Sequence, residues 1–120
     1  MTLATDLPIY KPTYDLILLV MNLTKNFPRS FRHGLARDID LGAQQLATAI
    51  FQANCTTDKV PVIEGLRERL SVLRLQLRLS KDLHLISAGQ FGATVELTAA
   101  IGKQATGWLN YAKKRRAPDA

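Results

Sequence analysis

Cysteine is nearly missing from this chain: Cys55 stands alone among 120 residues. No disulfide can form within the chain, so nothing in it asks for an oxidising compartment. Histidine is scarce too. His33 and His84 lie far apart and have no metal-ligand spacing to each other or to Cys55. Glutamate occurs only at Glu64, Glu68 and Glu96, and none of them opens the Glu-x-x-His pattern of a di-iron bundle. A phosphate-cradling G-x-x-x-x-G-K-[ST] loop is absent. "IGKQATGW" has two glycines in the wrong order, inside a helical pattern, where Gly102 and Gly107 are expected to ease helix packing. No Ser-His-Asp set can be assembled from linear order. These absences leave no catalytic residue, metal site or cofactor to name, and the chain is expected not to be an enzyme. Long apolar runs are missing as well. The longest, "LILLVM" at Leu16–Met21, is far short of the roughly 20 residues of a membrane span. The opening "MTLATDLPIY" has neither the basic nor the apolar region of a signal peptide. A cytoplasmic protein with no membrane partner is the expectation.

What the chain does have is positive charge and apolar periodicity. Sixteen Lys and Arg stand against ten Asp and Glu, a net charge of +6 with a pI near 9.8. That balance favours an acidic partner such as nucleic acid. The 47% apolar content is enough for a core, and the length suits one domain. Pro12, Pro28 and Pro61, with the polar breaks "NCTTD" and "HLIS", divide the chain into four helical segments. They are expected at about 13–26, 30–54, 58–83 and 88–114, with Ser30, Thr57 or Asp58, and Ser87 as N-caps. Residues 115–120 read as a basic, frayed tail. No stretch alternates long enough to make a strand. Short connections between long helices favour antiparallel neighbours, so the expected fold is all-α, an up-down-up-down four-helix bundle in a single domain.

Two groups of cations stand out. "LTKNFPRSFRHGLARDI" crowds Arg29, Arg32 and Arg37 around the Phe27-Pro28 break. In the third segment Arg67, Arg74, Arg78 and Lys81 fall within a narrow arc, because a helix advances about 100° per residue. Arginine's planar fork of donors suits phosphate, so both groups are candidates for contact with a nucleic-acid backbone. A solvated face, partly paired with Glu64, Glu68 and Asp82, is the plainer reading of the row. The third segment also has two apolar stripes. Leu66, Leu70, Leu73 and Leu77 make one; Val72, Leu75, Leu79 and Leu83 make another, roughly opposite. Either the helix is sunk among neighbours of its own chain, or the second stripe meets another subunit. Tyr10, Tyr14, Phe91, Trp108 and Tyr111 could stack on bases if exposed. In the fourth segment, Phe91, Val95, Ile101, Ala105, Trp108 and Leu109 follow core spacing.

The pieces "LPIYKPTYDL", "LTKNFPRSFRHGLARDI", "LRLQLRLSKDLHLIS" and "IGKQATGWLNY", in this order and spacing from about Leu7 to Tyr111, resemble the accessory variability determinant family of diversity-generating retroelements. The wider group includes four-helix proteins encoded in intervening sequences of ribosomal RNA genes. The resemblance implies a four-helix bundle that assembles into a pentameric ring with a basic surface. It implies a non-catalytic partner of the element's reverse transcriptase that also binds RNA or DNA during mutagenic complementary-DNA synthesis. Val72, Leu75, Leu79 and Leu83 would then be a subunit seam, and the Arg67–Lys81 row a contact for RNA or polymerase. The alternative is a stand-alone RNA-binding or structural bundle like the intervening-sequence proteins.

Overall fold

A chain whose apolar residues recur every three or four positions buries them best by laying helices side by side. The computed structural model, which describes residues 2–116, does this with four long helices. A short 3₁₀ turn, Ala4–Asp6, leads into α1, Tyr10–Thr24. After the Phe27-Pro28 break come the single turn α2, Arg29–Phe31, and a wide π-helical turn, Arg32–Ala36. These run directly into α3, Arg37–Cys55. The last two helices are α4, Val60–Asp82, and α5, Ala88–Arg115. No strand occurs among the described residues.

The packing pairs are α1 with α3, α3 with α4, α4 with α5 and α5 with α1, which closes a square. Connections of four or five residues reverse the chain each time. The result is an elongated bundle, 53 × 26 × 22 Å. Its core holds Leu16 and Val20 of α1, Ile39, Leu46 and Ile50 of α3, Leu66 and Leu73 of α4, and Ile101 of α5. A smaller apolar cluster of Ala53, Val60, Ile63, Leu109 and Ala112 fills the end where α4 starts. α3 is thin in large side chains, with Ala43 buried and Gly42 facing α4. A methyl group on Gly42 would meet Leu73 and Gln76 at ordinary contact distance, so the small residues set a close approach without crowding it.

Several local details differ from the sequence expectation. α1 begins at Tyr10, which puts Pro12 in its first turn, where a missing N–H costs nothing. Ser30 is not a cap: Pro28 occupies the N-cap position and no side chain caps the turn. At the start of α4 the cap position is Lys59, and Asp58 Oδ1 accepts only a long bond, 3.4 Å, from Val60 N. Ser87 does cap α5. Its hydroxyl accepts from Gln90 N, and the Gln90 side chain accepts from Ser87 N, forming a reciprocal box. Val95 is exposed rather than core. α5 buries Thr94 and Thr98 instead, whose hydroxyls donate to Phe91 O and Thr94 O one turn back. Arg115, expected in the tail, closes α5, and Arg116 comes directly after it; residues 117–120 lie outside the described residues.

α4 ends in a Schellman turn. Leu85 N donates to Ser80 O and His84 N to Lys81 O, with His84 at φ 60° in the left-handed region. At the same end of the bundle, Phe27 is fully buried beneath the α1–α3 corner. Thr24 Oγ1 donates to Asp40 Oδ1 at 2.8 Å, tying the end of α1 to the start of α3. Burial pushes the Asp40 carboxyl above its ordinary range, and the Thr24 hydroxyl opposes that rise.

Candidate nucleic-acid and partner surfaces

The corner cations are free. Arg29, Arg32 and Arg37 are all exposed, and none forms an ion pair with a described residue. Their placement comes from the local winding. Arg29 lies in the single turn after Pro28, Arg32 opens the wide turn, and Arg37 begins α3 proper. Phe27 anchors the corner from inside, so the charge around it stays in water. π-helical turns place one extra residue in a helix and recur at functional sites.

The α4 row lies elsewhere, along the groove between α4 and α5. Arg67 and Arg74 line an open groove of about 690 Å³ with Glu64, Glu68 and Lys103. Arg74 and Arg78 line a second of about 360 Å³ with Phe91, Val95 and Thr98. Neither groove includes a corner residue. The row is also partly committed to the bundle itself. Arg74 Nη2 donates to Thr98 O at 3.0 Å and lies across Gly102, where a methyl group would stand only 2.8 Å from it. Gly102 thus makes room for an arginine; Gly107 faces open space, against the expectation that both ease helix packing. Arg78 pairs with Asp82 at 3.3 Å, an exposed i,i+4 pair worth little in water. Lys81 sits 5.2 Å from the centre of the Phe91 ring. Arg67 makes no ion pair with a described residue, although Glu64 and Glu68 border the same groove.

The second apolar stripe of α4 is uncovered. Val72, Leu75, Leu79 and Leu83 range from 44% exposed at Leu79 to 60% at Leu75, while Leu66, Leu70, Leu73 and Leu77 are buried. This removes the reading in which both faces touch the same chain. Leu41 on α3 is exposed too, and shares with Val72 a groove of about 380 Å³. The side chains of the second stripe make an uncovered apolar strip along α4.

Of the aromatics, Phe91 and Trp108 are half-buried, whereas Tyr14 and Tyr111 are exposed. No group of three or more His, Cys, Asp or Glu side chains among the described residues could hold a metal ion. No described helix is long and apolar enough to cross a membrane. The family model described as bAvd-like matches residues 7–112. No curated protein matches the chain.

Proposed function

The chain belongs to the bAvd-like family, and from that premise we propose that it is a non-catalytic accessory protein of a diversity-generating retroelement. In this reading it binds the element's reverse transcriptase and its template RNA or complementary DNA, and the polymerase does the chemistry. The observation that carries the reading is the exposed cation set at the α1–α3 corner. Arg29, Arg32 and Arg37 have no ion-pair partner among the described residues and are held on a wide turn over a buried Phe27. Arg67, Arg74, Arg78 and Lys81 form a second, more internally paired surface. Val72, Leu75, Leu79 and Leu83 are the seam with a second copy of the chain, in a homo-oligomer that the family resemblance makes a pentameric ring.

The test is co-purification with the reverse transcriptase encoded beside the gene, after nuclease treatment and at moderate salt. A retained complex of defined ratio is expected. Charge reversal at Arg29, Arg32 and Arg37 should weaken it or weaken RNA binding while leaving the helical signal intact. No complex, from a protein that still binds RNA, would leave the stand-alone RNA-binding bundle in its place.

A further inference from the structure

The end of the bundle away from the corner has a surface that neither cation group includes. α5 closes on Lys113, Lys114 and Arg115, with Arg116 next, four consecutive exposed cations. Asp58 meets only one of them, Arg116, at 2.9 Å. Two residues before this run stands Tyr111, 60% exposed and the most open aromatic ring among the described residues. Its neighbour Ala112 is buried, so Tyr111, about 100° further round the helix, is turned outward. The Arg115 guanidinium lies 5.7 Å from the ring centre.

Tyr111 borders two clefts at once. One, of about 670 Å³, is lined by Asp58, Lys59, Arg115 and Arg116. The other, about 240 Å³, is lined by Leu7, Pro8 and Trp108. The ring is therefore a wall with a cationic hollow on one side and an apolar one on the other. Lys59 is held in place by its own bonds, donating to Ala53 O at 2.7 Å and Thr56 O at 2.8 Å. A flat apolar face beside fixed positive charge matches a flat base joined to a phosphate. A purely anionic partner would use the cations and leave the ring idle.

We infer that Tyr111, with Arg115 and Arg116 beside it, is a stacking platform for an unpaired base of a single-stranded nucleic acid. The inference rests on the nucleic-acid part of the proposed function and is independent of the polymerase part. Stacking is sequence-tolerant and contributes about 1–3 kcal/mol per base, so the site would grip single strands of any sequence.

The experiment compares two probes on the full-length protein by fluorescence anisotropy at fixed salt. One is an oligouridylate of about ten nucleotides, within the usual footprint of single-strand binders. The other is an abasic chain of the same length, with the same phosphates. The expected result is at least about fivefold tighter binding of the base-bearing probe, matching the lower end of the stacking range. Tyr111→Ala should erase that preference and Tyr111→Phe should keep it. Lys113→Glu with Lys114→Glu should weaken both probes alike. Equal binding of the two probes by the unaltered protein overturns the inference, as does a preference that survives Tyr111→Ala. Failure to bind either probe overturns the nucleic-acid reading along with it. Loss of the polymerase complex alone leaves the two-probe comparison intact.

Discussion

His84 adopts a backbone conformation that glycine reaches without strain, and it does so at the end of the helix that carries the arginine row. A side chain in the left-handed region costs roughly 1 kcal/mol, and only the Schellman bonds around it hold it there. His84→Gly should therefore raise the unfolding free energy by about 1 kcal/mol. Chemical denaturation would show it as a higher midpoint at unchanged slope. Asp40 offers a test of opposite character. Its folded carboxyl is harder to ionise than in the unfolded chain, so the folded state holds the proton more tightly. The stability this group contributes is present below the ordinary carboxylate value and is lost as pH rises through the raised folded value. Asp40→Asn should remove that fall. The variant's stability curve should be flatter than the parent's just above the ordinary aspartate range, and an unchanged slope would show that burial there is too shallow to matter. Neither residue announces itself in the sequence. A histidine after a helix looks like any surface residue, and an aspartate looks solvated until Thr24 and the corner close over it.

At the scale of the elements, the four long helices were legible because apolar spacing and proline breaks agree along most of the chain. What escaped was polar or local. Thr94 and Thr98 do core work on α5 by satisfying their hydroxyls within the helix, so a stripe drawn through apolar residues went to Val95 instead. The Ser87 cap was readable, since serine three residues before glutamine is a strong local signal. Ser87→Ala should cost about 1 kcal/mol, with the loss seen as faster amide exchange in the first turn of α5. The start of the helical run that leads into α3 was not readable: Ser30 has the right chemistry for a cap, but Pro28 takes that position ahead of α2 and the helix widens before α3 begins. The spacing puts the α4 arginines on one arc, yet sequence could not say that Arg74 would be spent on Thr98 and Gly102.

The whole molecule presents α4 with one stripe in the core and one in water, which predicts two distinct responses to substitution. Leu73→Ala removes buried contacts and should cost roughly 2–5 kcal/mol in any assembly state. Leu75→Asp alters only the exposed stripe, so a single chain should fold as before while the proposed self-association is lost. Light scattering after size exclusion reads the difference; an unchanged mass with Leu75→Asp would take the seam off α4. The presence of two apolar stripes was visible in the sequence. The stripe read as outward, Val72 to Leu83, is the exposed one; what covers it the sequence could not say.

The wide turn at Arg32–Ala36 ties these scales together. It joins the Phe27–Phe31 corner to α3. A turn of this kind closes its hydrogen bond one residue later than an ordinary helical turn, so it absorbs one extra residue while the flanking residues keep their phase. Take out Gly34, and ordinary winding would restore itself with Phe27, Arg29 and Arg32 facing nearly as they do now. Take out one residue of α3 proper instead, and the whole corner would turn by about 100° against the helices that α3 packs on, so that the aromatic plug and the cations could not both stay where they are. The wide turn is thus slack wound into the thread, and the corner can lose one residue there without losing its aim.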